Sequence, residues 1–567
     1  MYRKAETGFG YIFAGININS VSINNTRWQV RAPLLMAAGL AAGILIGISL
    51  FKFRPGNSVV QGNVSKFGEV MSLINQSYVD SVNTGRLVDG AIENMLERLD
   101  PHSIYIPRRD VDLTNSDLKG EFEGIGIEFN LFRDTIVVVT ALPGGPSAND
   151  GIESGDKIIK VNGENVAGIG ITIRGVIDRL RGEKGSKVLV SIQRRNKPRL
   201  IDFSIVRDKI PQFSVDAGYM IDDKIGYIKI SRFSSTTYDE FHQKMKDLLD
   251  KGMTELILDL QDNPGGYMDR AVDVADELIG DNEMIVSQRG KQDKFDAEYR
   301  ASRKGLFETE PVIVLIDENS ASGSEIVAGA LQDDDRALLV GRRSFGKGLV
   351  QVPMSLSDGS ELRLTIARYF TPSGRSIQKP YNGNINDYIH EYNRRYTHGE
   401  LFHADSIHFN DSLKYHTMKG RLVYGGGGIM PDVFVPLDTS YNTPYFAQLV
   451  YQNVLREFAL DYYDAHKDSL SRWTLDEFIQ RFTVSDRMLR NLISMGQKEK
   501  VTYNDKEFKI SKPVIINRIK SLVARSLFEN EGYYRVSNEM NEIYREALKH
   551  FGEAGQLASA REKITDH

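Results

Sequence analysis

The amino-acid sequence predicts an α/β protein with a largely parallel sheet at its centre, a small β domain before that sheet and helical regions at both ends. Three observations predict this arrangement. Apolar strand-like runs alternate with amphipathic helices from about Ile210 to Thr371, which is typical of a parallel sheet with crossover helices. Short apolar runs with glycine-rich turns fill residues 121–207. Helical spacing of apolar residues dominates residues 64–119 and the polar segment after Thr443.

The composition is that of a folded protein with several domains. A chain of 567 residues is too long for one hydrophobic core. The net charge of −5 is spread along the chain without a long basic run, so we expect no nucleic-acid partner. The absence of cysteine excludes disulfides, thiol catalysis and cysteine-ligated zinc.

An apolar segment near the N-terminus predicts a membrane anchor. Residues 1–31 are expected to form an irregular tail, and residues 32–51 then carry no charge. At about 1.5 Å per residue this segment spans roughly 30 Å, the thickness of a bilayer core. No convincing small-residue cleavage site follows it, so we favour one uncleaved transmembrane helix over a signal peptide. Basic residues lie on both sides, so the positive-inside rule hardly indicates the orientation.

The rest of the chain divides into four predicted regions. These are an N-terminal helical region (64–118), a small β domain (119–208), an α/β core (209–436) and a C-terminal helical extension (437–567). Within the core, residues 380–428 are rich in Tyr, His, Asn and Asp and are predicted to be an insertion, either a surface lid or an interaction segment. Because its histidines are irregularly spaced, we predict no metal site from them: His390, His398, His403, His408 and His416.

A cluster of serines follows an apolar strand in "VIVLIDENSASGSEIVAGAL". Ser322 and Glu325 have the S-x-x-E spacing of a capping box, which satisfies backbone N–H groups at a helix start. Alternatively, one of Ser320, Ser322 and Ser324 is a nucleophile at the turn from strand to helix. This stretch alone favours the capping interpretation, so the choice depends on the chemistry available elsewhere in the chain.

A serine nucleophile needs a base, and histidine is the usual one. Outside the insertion, the α/β core has only His242, which lies in an amphipathic helix and is expected at the surface, while His102 is expected to have a structural role. Lysine can act instead where burial or nearby positive charge lowers its pKa. Lys347 lies between two glycines in "GRRSFGKGLVQV" and is a candidate, although the same pattern fits a hairpin turn with a solvated lysine.

Acyl transfer also needs two backbone N–H groups to bind an oxyanion. Gly323 follows Ser322 at a predicted helix start, where the helix dipole favours negative charge. The Gly265-Gly266 pair follows another strand of the same sheet, although a plain Pro-Gly turn would also explain it. The carboxyl ends of parallel strands meet at one edge, so both loops are expected there.

In this order, the features closely resemble the carboxyl-terminal processing serine peptidases, also called tail-specific proteases. The resemblance covers about residues 64 to 436 and rests on "YVDSVNTGRLVDGAIENMLERLDPHSIYI", "FEGIGIEF", "NPGG", "ENSASGSEIVAGALQDDDRALLVGRRSFGKGLVQ", "RYFTPSGRSIQ" and "GIMPDVFVP". It implies a crotonase-like α/β peptidase core with an inserted PDZ domain. One departure is visible: the family often has S-A-S-A-S-E where this chain has S-A-S-G-S-E.

The resemblance also implies residue roles. Ser322 would be the nucleophile, Lys347 the general base and Gln351 the residue that orients the lysine. Gly323 and Gly266 are the candidates for the oxyanion hole, with the choice between Gly266 and its neighbour Gly265 left open. No metal, nucleotide or other cofactor is implied.

A PDZ domain adds an extended peptide to a sheet edge and captures its C-terminal carboxylate with loop N–H groups. The loop implied here consists of Gly124, Ile125, Gly126 and Ile127, and its isoleucines suggest a preference for apolar terminal residues. Arg181 is expected to couple peptide binding to the peptidase core by reaching that core.

The sequence therefore predicts a Ser-Lys serine endopeptidase that recognises C-terminal tails of protein substrates and processes or degrades envelope proteins. We expect it to be a single-pass protein of the inner membrane with its catalytic region in the periplasm. Its C-terminal extension is expected to form a homodimer or to gate the site. The alternative is an inactive PDZ-based scaffold on a degenerate peptidase core, against which the intact Ser322, Lys347 and Gln351 argue. A histidine-dependent, trypsin-like PDZ protease is weaker still, since no suitable histidine or G-N-S-G-G string is present.

Overall fold

A computed structural model describes residues 31, 33, 35–44, 58–142, 144–195, 197–280, 282–408 and 410–565. The predicted tail (1–31) lies almost wholly outside these residues, as does part of the predicted transmembrane segment (32–51). Among the helices in the described ranges, none is both long enough and apolar enough to cross a bilayer. The chain forms two compact units, which meet at residues 88 and 89.

The N-terminal region is helical, as predicted. The first unit contains helix Ser58–Ser77, and helix Thr84–Glu97 runs across the boundary between the units. In the second unit, a short strand, Ile104–Ile106, precedes helix Arg108–Lys119, which ends at Gly120 with a positive φ of 70°. Glycine adopts this left-handed conformation without the steric cost of a Cβ atom, so the helix ends there.

A six-stranded sheet forms the centre of the second unit. Its strands, in spatial order, are Val215–Met220, Ile225–Ile230, Glu255–Asp259, Val312–Ile316, Leu338–Gly341 and Val433–Phe434. Every neighbouring pair is parallel except the first, which is antiparallel. The predicted α/β class, with its largely parallel sheet, is therefore confirmed.

Both faces of this sheet are buried, which explains its nearly continuous apolar strands. Leu256 and Leu258 pack in one core with three crossover helices, which are Thr237–Asp250, Met268–Asp276 and Gly323–Asp333. Ile257, between those leucines, faces the opposite side and packs with Tyr544 from the C-terminal extension. This alternation follows from the two-residue period of a strand.

A second sheet lies beside the candidate catalytic residues. The long strand Glu361–Phe370 pairs antiparallel with Ile104–Ile106, Met284–Gly290 and Leu349–Ser355. Met284–Gly290 also pairs with Ala297–Arg300. Gln351 lies on Leu349–Ser355, so this sheet connects the candidate site to the N-terminal segment.

The PDZ domain is a compact β structure with its own core. The strands of its main sheet, in spatial order, are Ile127–Phe132, Thr135–Ala141, Lys157–Val161, Lys187–Gln193 and Ile201–Val206, with Glu164–Asn165 paired to the third. Its helices are Pro146–Asn149 and Ile173–Leu180. Ile127–Phe132 is an edge strand of this sheet. A separate ladder of Glu121–Gly124 with Asp208–Pro211 lies where the chain enters and leaves the domain.

The insertion and the C-terminal extension complete the second unit. The insertion contains helices Ile385–Ile389 and Glu391–Thr397 and a hairpin of Lys414–His416 with Leu422–Tyr424. The extension is helical, as predicted: Pro444–Tyr451, Val454–Leu470, Leu475–Arg481, Asp486–Lys498, Asp505–Ser537, Glu542–Ala547 and Phe551–Thr565. The first five helices share a core of their own, while the last two pack on the six-stranded sheet. The end of the extension is thus part of the α/β core.

Candidate active site

Ser322 occupies a strained turn between a strand and a helix. The strand Val312–Ile316 ends before it, and helix Gly323–Asp333 begins directly after it. Its φ of 54° and ψ of −109° are unusual for a residue with a side chain. Backbone strain of this kind persists only where the surroundings enforce it, and it is concentrated at functional sites.

The two neighbouring serines hold this turn against the adjacent loop. The Ser320 hydroxyl donates to the carbonyl of Leu260 at 2.8 Å, and the Ser324 hydroxyl donates to the carbonyl of Asn263 at 2.9 Å. Both serines are fully buried, whereas Ser322 is half-buried. Of the three serines, only Ser322 is therefore accessible enough to act as a nucleophile.

Glu325 links the Ser322 turn to the loop that carries Lys347. Its carboxylate is fully buried and accepts from the backbone N–H of Ser322 (2.9 Å), Gly346 (2.7 Å) and Lys347 (2.8 Å), and from the Ser344 hydroxyl. Burial raises the pKa of Glu325, and these donors oppose that rise. The carboxylate half of the predicted capping box is present, and it also holds the candidate nucleophile and base in one site.

Tyr369 forms a second bridge between the same two segments. Its buried hydroxyl lies 3.1 Å from the carbonyl oxygen of Ser322 and 2.6 Å from that of Lys347, and it donates towards both. The backbones on either side of the candidate site are therefore joined by a shared hydroxyl as well as by a shared carboxylate.

The Lys347 amine is half-buried and rests on Gln351. Its Nζ donates to Gln351 Oε1 at 3.1 Å, and Gln351 Nε2 donates in turn to the carbonyl of His102. Burial lowers the pKa of Lys347, whereas the charges of Glu325 and Asp100 oppose that change. Among the described residues, no hydrogen bond joins Lys347 Nζ to Ser322 Oγ. Desolvation thus favours the neutral form of the amine, which is the form that can accept a proton, while the amine is hydrogen-bonded to Gln351.

Sequence reasoning considered His102 but did not place the segment from Asp100 to Ser103 beside this lysine. The Asp100 carboxylate accepts from the backbone of His102 and Ser103, both at 2.8 Å, and from the Thr365 hydroxyl at 3.1 Å. His102 Nε2 lies 2.7 Å from the Tyr388 hydroxyl. Burial, with help from the charge of Lys347, lowers the pKa of His102 to about 4. The only sequence signal was the cluster of polar residues in "LDPHSIY" after a helix.

The other histidine considered as a base lies elsewhere. His242 lies on helix Thr237–Asp250, and its Nδ1 is 3.0 Å from Glu277 Oε1. The side chain is half-buried, whereas a surface position was expected. Neither histidine forms a hydrogen bond with Ser322 within the described part of the chain. A histidine base for this serine therefore has no geometric support.

The first part of the insertion is fixed to the Lys347 loop and is not a loose surface lid. Arg395 is almost fully buried and donates to three successive carbonyls, those of Arg343 (3.2 Å), Ser344 (2.9 Å) and Phe345 (3.3 Å). Lys379 lies 3.8 Å from the centre of the Phe345 ring.

The described portion of the chain contains no group of three or more His, Asp or Glu side chains placed to hold a metal ion.

The two glycines left open by the sequence differ in their hydrogen bonding. The N–H of Gly265 donates to Asn263 Oδ1 at 2.8 Å. The N–H groups of Gly266 and Gly323 have no acceptor among the described residues. A Cβ atom on Gly265 would lie 2.7 Å from the nitrogen of Gly323, so the two loops are in contact at this point. The geometry therefore leaves Gly266, and not Gly265, with a donor to offer beside Gly323.

The predicted carboxylate-binding loop of the PDZ domain is in place, but its isoleucine side chains point into the domain. Ile125 and Ile127 are 2% and 9% exposed and belong to the PDZ core, so they do not form an open apolar pocket. The N–H groups of Ile125 and Gly126 find no acceptor in the described ranges. Gly124 is also buried, and Gly126 has a φ of 73° that favours glycine. The loop therefore offers backbone donors.

Arg181 reaches a helix beside the peptidase core instead of the core itself. Its guanidinium lies 4.4 Å from the centre of the Phe122 ring and donates to the Ser116 hydroxyl at 3.0 Å, on helix Arg108–Lys119. The residue before Ser116 on that helix, Asn115, is hydrogen-bonded to the side chains of Glu361 and Arg363. Any coupling through Arg181 would thus run by way of this helix.

Comparisons with known proteins agree with this architecture. Residues 224–388 match peptidase family S41, residues 137–194 match the PDZ domain, and residues 52–109 match the activating protease CtpB N-terminal domain. Residues 445–529, within the C-terminal extension, match a family of unknown function.

Several proteins of known name are similar to this chain. The carboxy-terminal-processing protease of Bartonella bacilliformis is 36% identical over 357 residues, which is 62% of this chain and 81% of that protein. Carboxy-terminal processing protease CtpB of Bacillus subtilis is 32% identical over 358 residues, or 60% of this chain and 72% of that protein. The solved photosystem II D1 C-terminal processing protease has 26% identity and a TM-score of 0.33, with 65% of this chain and 92% of the other covered. The two relatives from Bartonella bacilliformis and Bacillus subtilis, together with the matched family models, show that this chain belongs to the carboxy-terminal processing serine peptidases of family S41 and carries a PDZ domain.

Proposed function

We propose that this peptidase cleaves proteins that it selects by their C-terminal tails, with Ser322 as nucleophile and Lys347 as general base. The observation that carries the proposal is the buried carboxylate of Glu325, which binds the backbone N–H groups of both residues. A strained serine and a desolvated lysine are thereby held in one site. That combination suits acyl transfer to a serine hydroxyl, with a neutral amine as the general base.

In the proposed reaction, Ser322 Oγ attacks the carbonyl carbon of the scissile peptide bond. Lys347 Nζ, as the neutral amine, takes the hydroxyl proton and then gives it to the leaving nitrogen. The N–H groups of Gly266 and Gly323 bind the oxyanion, and a water activated by the same amine releases the acyl group. Gln351 Oε1 orients the amine. The Lys347 amine is hydrogen-bonded to Gln351 in this structure, so the proposed reaction requires the amine to move towards Ser322 Oγ before acylation.

The PDZ domain would select the substrate by its free C-terminal carboxylate. Two features support this step: Ile127–Phe132 is an edge strand, and the N–H groups of Ile125 and Gly126 are without acceptors among the described residues. An extended tail can add to such an edge while its carboxylate binds the loop N–H groups.

We further propose that the apolar segment 32–51 anchors the protein in the inner membrane, with the catalytic region in the periplasm, where it processes or degrades envelope proteins. The support is the length and lack of charge of this segment in the sequence. A crotonase-like class for the core and a homodimer stay predictions. Protease treatment of spheroplasts tests the topology, because a periplasmic catalytic region would be digested without lysis.

The test of the dyad uses the full-length protein in detergent micelles and an unfolded reporter with an apolar C-terminal residue. Wild type is expected to cut it, and Ser322→Ala and Lys347→Ala are expected not to. Matched changes at exposed positions, Ser471→Ala and Lys506→Ala, should leave cleavage unchanged. Amidation of the reporter's C-terminus should slow wild type, because it removes the carboxylate.

Each other result has a definite meaning. If Ser322→Ala or Lys347→Ala cuts as fast as wild type, the assignment of that residue is wrong. If wild type binds the tail but does not cut, the scaffold alternative replaces the peptidase proposal for this chain. If amidation has no effect, selection by the C-terminal carboxylate is wrong even where the dyad stands.

A further inference from the structure

Two arginines of the C-terminal extension contact the edge strand of the PDZ domain, and a third, Arg518, lies on the same helix as one of them. Arg456 donates to Asn130 Oδ1 at 3.0 Å, and Arg525 lies 3.1 Å from Glu128 Oε2. Arg518 donates to the Tyr533 hydroxyl. Burial lowers the pKa of Arg456, Glu128 raises it, and the charges of Arg525 and Arg518 lower it further, so both of these guanidinium groups act on that of Arg456.

The cluster contains more positive charge than its neighbours neutralise. Glu128 is the one carboxylate that pairs with any of these arginines in the described part of the chain, and it pairs with Arg525. All three arginines are half-buried, so their charges are less well solvated than at an open surface. A desolvated cation without a counter-ion is costly, and an anion placed here would be bound well.

The position of the cluster relative to the strand indicates which anion would reach it. Side chains of Ile127–Phe132 alternate: Ile127 enters the PDZ core, while Glu128 and Asn130 point to the opposite face, where the extension lies. No backbone hydrogen bond from the extension to this strand exists among the described residues. The extension therefore leaves the backbone of this edge strand unpaired, while one face of the strand is in contact with arginine side chains.

A tail bound to this edge would present alternate side chains to the arginines. With its carboxylate at the N–H groups of Ile125 and Gly126 and its strand antiparallel, the terminal residue lies opposite Ile127. The next-to-last residue then lies opposite Glu128, and the residue two before it lies opposite Asn130, because cross-strand neighbours share a face. A cavity of about 310 Å³ adjoins Asn130 and Arg456, but its lining also includes the carboxylates of Glu457, Asp461 and Asp464, so the acidic side chain is placed at the guanidinium groups and not in the cavity.

We infer that the C-terminal extension completes the tail-binding site with a subsite for acidic side chains, formed by Arg456, Arg518 and Arg525. The ligand is the carboxylate of Asp or Glu at the next-to-last position of the substrate, or two residues before it. The inference rests on the proposed tail-binding function and adds to it a substrate class. It also gives the extension a role in choosing substrates.

The experiment measures peptide binding to full-length Ser322→Ala protein in detergent micelles, by fluorescence anisotropy. Labelled peptides end in the same apolar residue and carry either Glu or Gln at the two positions that face the arginines. We expect the Gln peptide to bind about tenfold more weakly, which corresponds to one charge-assisted contact. Added salt should weaken the Glu peptide more than the Gln peptide.

Arginine variants locate the effect. Arg456→Gln and Arg525→Gln should each reduce the preference for Glu severalfold, and Arg490→Gln, at an exposed position of the same extension, should preserve it. Arg518→Gln is the more decisive variant, because Arg518 makes no hydrogen bond to the PDZ domain among the described residues. Its loss of selectivity could not be ascribed to a loosened contact between the domains. Unchanged melting temperatures confirm that the variants are folded.

The inference is overturned if the protein with all three arginines intact binds the Glu and Gln peptides equally. It is also overturned if the preference for Glu survives in folded Arg456→Gln and Arg518→Gln proteins. An amidated peptide separates this failure from failure of the proposed function. If free and amidated tails bind alike, tail recognition itself is wrong and the subsite falls with it. If the free tail binds better but Glu gives no advantage, tail recognition stands and only the subsite is wrong.

Discussion

Replacing Glu325 by glutamine tests whether one buried carboxylate holds the site together. Four donors converge on this group, three of them backbone N–H groups on the two sides of the site. Glutamine has the same shape but only one acceptor oxygen, and its NH₂ group would face donors. At least one or two of the four donors would then lose their partner in a fully buried position.

The expected loss of stability follows from that count. An unsatisfied buried donor costs about 1–3 kcal/mol, so two would cost about 2–6 kcal/mol. Removing the buried negative charge recovers part of the cost, because burial disfavours the charged form and raises the pKa of Glu325. We therefore expect Glu325→Gln to lower the free energy of unfolding by about 2–3 kcal/mol, a substantial share of a typical protein's stability.

The same change should also move the pH dependence of cleavage. The negative charge of Glu325 raises the pKa of Lys347, against the larger lowering by burial. Activity needs the neutral amine, so kcat/KM rises with pH through that pKa. Without Glu325 the pKa of Lys347 falls further, and the acid limb of the profile should shift to lower pH. A carboxylate that served only to cap the helix would change stability without this shift.

Two assays on the same samples measure these effects: chemical denaturation, and initial rates of reporter cleavage across a pH series. Glu539→Gln, at an exposed position of the C-terminal extension, is the matched control and should change neither quantity. If Glu325→Gln has the stability and the pH profile of wild type, the carboxylate does not link the two segments and the reasoning fails. A shift of the acid limb to higher pH would contradict the electrostatic part alone.

Three further substitutions test the surroundings of the site. Tyr369→Phe removes the hydroxyl shared by the carbonyls of Ser322 and Lys347 and should lower kcat about tenfold without loss of secondary structure; an unchanged kcat in steady-state assays would contradict this. Arg395→Lys keeps the charge, but a lysine amine cannot reach three successive carbonyls. We therefore expect kcat to fall by a larger factor than KM changes. Equal effects on kcat and KM would argue against a positioning role. Folding lowers the pKa of His102 from 6.5 to about 4, so the neutral side chain's contribution to the free energy of unfolding is complete above pH 6.5. That contribution, up to about 3 kcal/mol, is lost as the pH falls towards 4. Denaturation at a series of pH values should show this loss in wild type and not in His102→Gln.

Much of the peptidase core could be predicted from the sequence because its signals are local. Strands such as Glu255–Asp259 and Val312–Ile316 are short apolar runs with glycine- or serine-rich loops at their carboxyl ends. Parallel pairing brings those two loops to one edge of the sheet, as the alternation of strands and helices implied. The juxtaposition of Ser322, Gly323 and Gly266 follows from that rule.

The contacts that the sequence did not predict join positions far apart in the chain. The carbonyl of His102 accepts from Gln351, and Asp100 accepts from Thr365. Neither contact follows from a local period, since each depends on how the second sheet packs. Ile125 and Ile127 were expected to favour an apolar terminal residue because they lie in the binding loop, but strand alternation does not say which face of an edge strand is the core.

The position of the end of the extension could not be predicted from the sequence, for a related reason. Ile543, Tyr544 and Ala547 have the spacing of any amphipathic helix, and that pattern does not identify the surface that the helix covers. They cover the second face of the six-stranded sheet, whose continuous apolar strands required a cover on both sides. A gate or a dimer contact was the expectation for the extension as a whole, whereas its last helices belong to the core.

The anchoring of the two catalytic segments limits how Lys347 could reach Ser322. Glu325 and Tyr369 bind the backbone of both segments, and Arg395 binds three carbonyls just before the lysine. A backbone held at so many points is not free to slide towards the serine. If Lys347 acts as proposed, its amine must therefore leave Gln351 by rotation of its own side chain. The position of Gln351, which is fixed through the carbonyl of His102, would then decide how readily the base is released.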